Sequence, residues 1–394
     1  MNYIGSKYSL LPEIERSLDE YGVPRDGAAL DLFAGTGAVA QLLKRRGHMT
    51  FANDWQYYSY VTNVALIEHN AFPAFETLLR DPRWRKRVSG VPLDDILAYS
   101  IDNRGAPVDD LPCTRVLSYL SQLPGRRGPF YEAYCQGGAA GRMYYAQENG
   151  LRIQAIRDQI EAWRDEGLIS ARDQAWLVAC LIESADRVAN TASVYGAYLK
   201  QIKKSAQKPL KMIALQPIPS HHTAEHHRVF CRDSAALLDL FHPGQLRLIY
   251  IDPPYNQRQY AANYHVLETI ARWDLERFEP RGVTGLRSAQ VQRSVFCMRG
   301  AVEAGFRRLF ERINSDYVLF SYNNEGLLAE DRLLALFETF CTGVELRRIK
   351  FKRFRADIDR ENRVYKANHT HELLVIGKPK AGKNSRNFHV SPPV

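Results

Sequence analysis

The sequence lacks closely spaced cysteines and long hydrophobic runs. Its six cysteines form no C-x-x-C pair and lie far apart, at Cys113, Cys135, Cys180, Cys231, Cys297 and Cys341. This spacing argues against a zinc ribbon or a disulfide-stapled scaffold and favours a reducing compartment. No apolar run is long enough to span a bilayer, and the start has no apolar core of a signal peptide. We therefore expect a cytoplasmic protein without membrane spans.

Internal repeats and low-complexity blocks are also missing. The chain has 394 residues, of which 45% are hydrophobic and 25% are charged, as in soluble globular proteins with a substantial core. Its 53 Lys and Arg residues outnumber its 44 Asp and Glu residues, which gives a formal net charge of +9. This excess is consistent with a polyanionic partner such as a nucleic acid.

The most informative stretch is an apolar run that ends abruptly in two prolines. Residues 248–251 have the β-rich pattern of a buried parallel strand, and Asp252, Pro253, Pro254 and Tyr255 follow it directly. Each proline fixes its φ angle and lacks an N–H donor, so the strand must stop at this corner. In an open α/β sheet, ligands bind at the carboxyl ends of such strands.

The groups at this corner suit methylation of the amino group of adenine. That nitrogen is a poor nucleophile because its lone pair is delocalised into the ring. Acceptors on the Asp252 side chain and the Pro253 carbonyl would hold both amino hydrogens and favour a localised lone pair. The ring of Tyr255 would stack on the base. The alternative is a strand-ending turn in which Asp252 caps a following helix.

A second cluster of motifs, near the start of the chain, predicts a nucleotide-binding unit. A buried strand over residues 28–33 leads into a turn with Gly35 and Gly37, and a helix follows over residues 38–46. The turn lacks the third glycine of the dinucleotide fingerprint, and no Walker lysine is present. A strand over residues 49–52 then leads to Asp54. An acid at this spacing after the first strand binds ribose hydroxyls in this fold class, although a helix cap is the alternative.

Residues 76–211 interrupt the alternation of strands and helices. The part from 76 to 165 is nearly neutral, with 13 Lys and Arg against 12 Asp and Glu, and helices are predicted over residues 151–163 and 171–189. Residues 190–211 contain five lysines and two tyrosines without an acid, which suits phosphate contact, although a solvated surface is the alternative. The histidine pairs at 221–222 and 226–227 lack a matching set of ligands, so we predict no metal site.

The α/β alternation resumes at a strand over residues 228–231, followed by Asp233, Ser234 and a helix to residue 240. Further strands are predicted over residues 317–320 and 372–376. Residues 343–394 carry 13 Lys and Arg against 5 Asp and Glu, so most of the excess charge lies at this end of the chain. The sequence therefore predicts a doubly wound α/β domain that is interrupted by an insertion.

With these motifs in place, the chain resembles the Dam-like family of S-adenosylmethionine-dependent adenine-N6 DNA methyltransferases over nearly its whole length. The resemblance rests on Tyr3-Ile4-Gly5-Ser6-Lys7, Asp31-Leu32-Phe33-Ala34-Gly35-Thr36-Gly37, Asn53-Asp54, Arg232-Asp233-Ser234 and Asp252-Pro253-Pro254-Tyr255. Runs at 185–190, 193–200 and 321–323 are also similar to this family. The order of the motifs matches members whose target-recognition region lies between the cofactor loop and the catalytic motif.

The resemblance implies a Rossmann-like, mostly parallel sheet with an inserted, largely helical recognition module at residues 76–211. Residues 1–75 and 212–394 would form the catalytic domain. The implied catalytic residues are Asp252, Pro253, Pro254 and Tyr255. The implied S-adenosylmethionine-binding residues are Tyr3, Lys7, Asp31, Phe33, Gly35, Gly37, Asp54, Asp233 and Ser234. The expected DNA-binding residues are Lys200, Lys203, Lys204, Arg258, Tyr260, Arg353 and Arg355.

The predicted reaction is methyl transfer to an adenine that is flipped out of double-stranded DNA, without a metal. The sequence leaves two points open: whether a partner restriction endonuclease exists, and which oligomeric state the protein has. Two rival functions remain: methylation of adenine in RNA, and DNA binding without catalysis. The large insertion favours DNA over RNA, and the intact Asp252 motif favours catalysis.

Overall fold

A computed structural model describes residues 5–287, 293–352 and 369–380 of the chain. Its strands are β1 (Ala28–Asp31), β2 (Met49–Asn53), β3 (Leu97–Tyr99), β4 (Arg104–Pro107), β5 (Ala214–Leu215), β6 (Arg228–Phe230), β7 (Leu246–Ile251), β8 (Ser315–Asn323), β9 (Cys341–Lys352) and β10 (His369–Pro379). Tyr3, Arg353 and Arg355, which the sequence places in binding sites, lie outside the described residues.

Fourteen α-helices connect these strands in the described residues. They are α1 (Leu11–Glu20), α2 (Ala38–Arg45), α3 (Tyr57–Ile67), α4 (Glu76–Arg80), α5 (Pro82–Ser89), α6 (Pro112–Ser121), α7 (Pro129–Tyr134), α8 (Gln147–Asp165), α9 (Ala171–Arg187), α10 (Ser234–Leu238), α11 (Tyr260–Asn263), α12 (His265–Arg272), α13 (Val302–Phe310) and α14 (Glu330–Phe340). Local sequence explains several of their starts. For example, Ser170 and Asp173 form a reciprocal capping box at the start of α9.

The central sheet has seven strands in the order β6-β2-β1-β7-β8-β10-β9. The first five are parallel, whereas β10 runs antiparallel to both β8 and β9. From β1 the chain proceeds outward to β2, and from β7 it proceeds outward to β8 in the opposite direction. The carboxyl ends of β1 and β7 therefore meet at the point where the strand order reverses, which is where such folds bind ligands.

The predicted doubly wound sheet is confirmed, and all six predicted strands are present with ends that differ by a few residues. Strand β9 was not predicted. Its sequence alternates hydrophobic residues with charged ones, including Arg347, Arg348 and Lys350, and it lies at the edge of the sheet. Charged side chains are typical of edge strands because they discourage pairing with another chain.

The region between α3 and β6 contains helices α4 to α9 and a small sheet with the order β4-β3-β5. A hydrophobic cluster joins these helices to the catalytic part of the fold: Trp163 and Trp176 of the insertion share it with Tyr58 of α3 and Ile270 of α12. The insertion is therefore packed on the sheet domain through a common core. In the described part of the chain, no helix is both long and apolar enough to cross a membrane.

Candidate active site

A cavity opens at the carboxyl ends of β1 and β7, where the order of the strands reverses. It is lined by ten residues that the sequence singles out: Lys7, Asp31, Phe33, Gly35, Asp54, Asp252, Pro253, Pro254, Tyr255 and Tyr260. Asp31 ends β1 and is paired in register with Tyr250, two residues before Asp252. The parallel pairing of β1 with β7 therefore brings the two motifs together although they are far apart in the sequence.

Asp252 is held by an ion pair with Lys7. The Lys7 ammonium lies 2.9 Å from Oδ1 of Asp252 and 2.7 Å from Oε1 of Glu372 on β10. Lys7 and Glu372 are both buried, with exposures of 6% and 4%. Burial acts to lower the pKa of Lys7, but the charges of Asp252 and Glu372 outweigh it and raise that pKa well above its usual value. Lys7 is therefore a permanent cation between two carboxyl groups.

The carboxyl group of Asp252 titrates near neutrality. Burial raises the pKa of Asp252 to about 7, the charge of Lys7 opposes this rise, and the charge of Glu372 adds to it. An acidic group with such a pKa changes its protonation state in the range where enzymes work, as is common in active sites. Asp252 is thus placed to be a hydrogen-bond acceptor for a ligand in the cavity when it is ionised.

Asp31 offers a second acceptor to the cavity. It is 1% exposed, and its Oδ1 atom has no hydrogen-bond partner among the described residues. Burial raises the pKa of Asp31 well above its usual value, and the charge of Asp252 raises it further. A buried acceptor without a partner is costly, which is the expected sign of a group that awaits a ligand donor.

The glycine turn between β1 and α2 is fixed by Asp54. One carboxylate oxygen accepts the N–H of Gly35 at 2.9 Å, and the other accepts the N–H of Gln56 at 2.8 Å. Asp54 therefore holds the first turn leading into α3, which was the structural alternative, and also lines the cavity. The predicted ribose contact stays a prediction.

Gly37 supports the turn without lining the cavity. Its φ angle of +75° lies in the left-handed region, and a Cβ atom at this position would come 2.6 Å from Oδ1 of Asn63. The Asn63 amide in turn donates to the carbonyl of Gly35 at 3.1 Å. Only glycine combines this backbone conformation with this close approach. Gly37 thus fixes the shape of the glycine turn by packing against α3.

Two further predicted cofactor residues, Asp233 and Ser234, also lie outside this cavity. The Asp233 side chain accepts the backbone N–H groups of Ala235 and Ala236, both at 3.1 Å, and so caps α10. Ser234 is the first residue of that helix and is buried. Neither residue lines the cavity. Their predicted contact with the adenine of the cofactor remains a prediction.

Tyr260 lies in the cavity wall, and its predicted contact with DNA stays a prediction. Its ring is stacked on that of Tyr264, with ring centroids 6.1 Å apart. Burial raises the pKa of Tyr260 well above its usual value, so its hydroxyl stays neutral. The neighbouring Arg258 is exposed. Residues 258 and 260 therefore face different surroundings, one at the surface and the other beside Tyr255.

The basic segment 190–211 is partly buried. Tyr195 has no exposed surface, and its hydroxyl donates to Asp186 at 3.0 Å. The ammonium of Lys203 donates to the Thr191 carbonyl at 2.7 Å, whereas Lys200 and Lys204 are exposed. The tyrosines that were expected to alternate with lysines on one surface therefore do not all reach it. Lys200 and Lys204 remain available to a phosphate backbone.

The histidine pairs after this segment have structural roles. His227 is buried, and its Nδ1 atom accepts the backbone N–H of Thr50 on β2 at 3.0 Å. His222 lies 3.2 Å from the Gly47 carbonyl through Nε2, and its ring packs on that of His221. In the described part of the chain, no group of three or more His, Cys, Asp and Glu side chains is arranged to hold a metal.

Comparison with known families identifies the chain. The model of the D12 class of N6 adenine-specific DNA methyltransferases matches residues 3–330, which include both clusters of motifs at the cavity. The chain belongs to this family. It is an adenine-specific DNA methyltransferase, and the resemblance to Dam-like enzymes is confirmed.

Relatives of this D12 methyltransferase include several modification enzymes. It is 38% identical to the type II methyltransferase M.NlaIII of Neisseria lactamica over 378 residues, which cover 95% of this chain and 98% of that protein. It is 33% identical to the type II methyltransferase M.FokI of Planomicrobium okeanokoites over 86% of this chain and 47% of that protein. The modification methylase StsI of Streptococcus sanguinis is 29% identical over 93% of this chain and 50% of its own length.

Sequence reasoning missed several residues of the D12 methyltransferase site. Trp55, Gln56, Gln259, Ser294 and Cys297 line the cavity, and Glu372 lies behind it. Trp55 and Gln56 directly follow Asp54, so their position in the sequence could have placed them beside the predicted ribose-binding acid. A weak signal for Glu372 is also present in the sequence, because this single acid stands next to the apolar run 373–376. Nothing in the sequence connected Glu372 to Lys7, since that contact depends on the position of β10 in the sheet.

Proposed function

We propose that this D12 methyltransferase takes its methyl group from S-adenosylmethionine and transfers it to a flipped-out adenine in double-stranded DNA. The observation that carries the proposal is the single cavity in which the glycine turn after β1 adjoins the Asp252 corner after β7. Binding both reactants side by side makes the transfer effectively unimolecular and removes much of its entropic cost.

The residues of the cavity fit S-adenosylmethionine. The unpartnered oxygen of Asp31 suits the ammonium group of the methionine end, and Asp54 suits the ribose hydroxyls. Phe33 and Trp55 supply apolar ring surface in the same wall. When bound, S-adenosylmethionine supplies a methyl group on a positively charged sulfur atom, an electrophile that needs no metal.

The Asp252 corner fits the adenine. Ionised Asp252 would accept one amino hydrogen and the Pro253 carbonyl the other, while Tyr255 stacks on the ring. This arrangement favours a localised lone pair on the amino nitrogen. Bound S-adenosylmethionine would supply the methyl carbon that this lone pair attacks, and the electrons of the carbon–sulfur bond would stay on the sulfur atom. The amino proton that is released would pass to the Asp252 carboxylate, which accepts its hydrogen bond. Because the reacting atom lies within the stacked duplex, the base must be flipped outward to reach Asp252.

The insertion at residues 76–211 would recognise the target sequence. Its nearly neutral part, residues 76–165, would supply contacts to base edges, which carry sequence information. Exposed Lys200, Lys204 and Arg258 would contact phosphates, which add affinity without specificity. The relatives that are named modification methylases suggest that methylation protects DNA from a partner endonuclease with the same target.

The test measures transfer of tritiated methyl groups from S-adenosylmethionine to duplex DNA, single-stranded DNA and RNA. We expect labelled duplex DNA, and single-molecule sequencing of DNA from an expressing host would then give the base, the site and the strand. Label in RNA alone would support the RNA rival. DNA binding without any labelling would support the catalytically silent rival. Resistance of host DNA to an endonuclease that cuts the mapped site would support a protective role.

A further inference from the structure

Glu372 is a buried acid that lies behind the proposed catalytic corner. It is on β10, opposite Asn323 of β8, and it does not line the cavity. Its Oε1 atom accepts the hydroxyl of Ser321 at 3.0 Å and lies 2.7 Å from the Lys7 ammonium. Its Oε2 atom accepts the side-chain amide of Asn323 at 3.4 Å. The carboxylate is thus fixed from the sheet and directed at Lys7.

Such a group is expensive to bury unless it is paired. Moving a carboxylate out of water costs several kcal/mol, and an ion pair repays this only with good geometry and additional hydrogen bonds. Glu372 has both, through Lys7, Ser321 and Asn323. Lys7 lies just before the first helix, in a short segment that reaches the cavity from the start of the chain. Glu372 is therefore a second contact, besides that of Asp252 at the end of β7, that ties Lys7 to the central sheet.

We propose that Glu372 is a positioning residue for methyl transfer: it anchors the Lys7 ammonium so that Lys7 holds Asp252 ionised and oriented toward the target amino group. The inference rests on the proposed role of Asp252. Glu372 does not line the cavity, so it would not touch a bound reactant itself. The family model ends at residue 330, so β10 and Glu372 lie beyond the region that it matches.

The pH dependence of catalysis separates this role from a merely structural one. The titratable groups that influence or are influenced by Asp252 are Lys7, Glu372, Asp31, Tyr250, Tyr255 and Tyr260. The negative charge of Glu372 raises the pKa of Asp252, whereas the ammonium that it anchors lowers that pKa more strongly. A neutral side chain at position 372 that still accepts a hydrogen bond from Lys7 should therefore lower the pKa of Asp252. A side chain that makes no bond to Lys7 should raise it.

The experiment compares kcat/KM against pH for the wild-type protein, Glu372→Gln and Glu372→Ala. The acid limb of this profile reports essential groups of the free enzyme. In Glu372→Gln, an acceptor remains for Lys7 and the extra negative charge is gone, so the acid limb should move to lower pH and kcat should stay within about threefold. In Glu372→Ala, Lys7 loses its anchor, so the limb should move to higher pH and kcat should fall at least about tenfold.

Matched controls use Glu345 of β9, an exposed acid on the neighbouring strand opposite Ile376. Glu345→Gln and Glu345→Ala remove the same charge and should leave the profile unchanged. The inference is overturned if Glu372→Ala shifts the limb in the same direction as Glu372→Gln, or if neither variant shifts it. If Glu372→Ala does not fold, a Glu372→Gln profile whose acid limb stays at the wild-type pH is sufficient to overturn the inference. A wild-type protein that methylates nothing would refute the proposed function instead.

Discussion

At the scale of single residues, the chemistry of this enzyme depends on how the protein controls buried carboxyl groups. Asp31, Asp54 and Asp252 all line one cavity, and burial raises the pKa of each. Among the residues that the structure describes, only Asp252 of these three acids forms an ion pair, with Lys7 at 2.9 Å. The three acids therefore differ in surroundings: Asp252 is paired with Lys7, Asp54 accepts backbone N–H groups, and Asp31 has an oxygen without a hydrogen-bond partner among the described residues.

Replacing Asp252 by Ala should abolish most of the activity. The change removes one acceptor for the amino group and leaves the glycine turn intact, so we expect methylation to fall at least about a hundredfold, as when one preorganised polar group is lost. Single-turnover transfer of labelled methyl groups measures the rate. Calorimetric titration with S-adenosylhomocysteine measures cofactor affinity, which should change far less. A normal methylation rate in Asp252→Ala would exclude the proposed role.

Replacing Asp54 by Ala should weaken cofactor binding. A ribose hydroxyl would lose its partner, which costs roughly 1–3 kcal/mol of binding free energy. The variant also loses the acceptor for the N–H of Gly35, so its thermal unfolding temperature must be measured alongside the calorimetric titration. Reduced stability with unchanged affinity for S-adenosylhomocysteine would leave Asp54 with the structural role alone.

At the scale of elements, β1, the glycine turn and α2 act as one unit. Gly37 ends the turn, and its carbonyl accepts the N–H of Gln41 in the first turn of α2 at 2.9 Å. Behind the turn, Ser59 and Asn63 of α3 both donate to the carbonyl of Gly35. The loop is thus preformed by backbone hydrogen bonds and by packing on α3, so a ligand meets a rigid wall.

Gly37→Ala should therefore cost more than an equivalent change elsewhere. Gly22 has the same φ angle of +75° but nothing within 4 Å of the position of a Cβ atom, so Gly22→Ala isolates the backbone strain of about 1–2 kcal/mol. In Gly37→Ala, the contact with Asn63 adds to this strain. We expect lower stability in urea than for Gly22→Ala and a loss of S-adenosylhomocysteine binding that Gly22→Ala does not show. Equal effects of the two substitutions would contradict this view of the turn.

A neutral histidine connects β2 to the segment before β6. Burial lowers the pKa of His227 to about 4, and its Nδ1 atom can accept the Thr50 N–H only when that atom is unprotonated. The unfolded chain binds a proton near pH 6.5, whereas the folded chain binds it near pH 4. This contribution to stability is therefore complete above about pH 6.5 and is lost as the pH falls toward 4.

His227→Gln cannot titrate in this range and serves as the reference. We expect the stability of the wild-type protein relative to His227→Gln to fall by on the order of 2 kcal/mol between pH 7 and pH 4.5. Urea unfolding at several pH values measures the stability of both proteins. Subtracting one stability from the other cancels the contributions of the other titratable groups. A difference that does not depend on pH would show that His227 has the same pKa in the folded protein as in the unfolded chain.

At the scale of the whole molecule, positive charge is distributed unevenly along the chain. Residues 76–165 are nearly neutral, and the excess positive charge lies in residues 190–211 and 343–394. Exposed Lys200 and Lys204 lie in the first of these basic regions. Since phosphate contacts give affinity without sequence information, we expect the basic regions to set how tightly the protein binds and the insertion to set where.

Lys204→Gln should weaken binding to all DNA sequences alike and reduce the slope of log affinity against log salt by about one unit. Lys203→Met is the matched control. Because the Lys203 ammonium donates to the Thr191 carbonyl, this change should lower thermal stability and leave the salt slope nearly unchanged. Binding over a salt series and methylation mapping test both. A changed target sequence in Lys204→Gln with an unchanged salt slope would refute this division of roles.

The sequence by itself determined the sheet class and the residues at its functional edge. The apolar run stopped by Pro253 and Pro254, the glycine turn at residues 35–37 and the acid at Asp54 are local patterns, and each reports the end of a strand directly. Because the carboxyl ends of parallel strands share one edge, these patterns sufficed to bring Asp31, Asp54 and Asp252 to one site.

Only the tertiary structure decided which distant side chains surround these acids. The insertion of β10 between β8 and β9 places Glu372 behind Lys7, although the two residues lie near opposite ends of the chain. Packing of the insertion likewise buries Tyr195 and draws the Lys203 ammonium onto Thr191. Such contacts depend on strand order and on a shared core, and these are properties of the assembled fold that no local pattern of residues encodes.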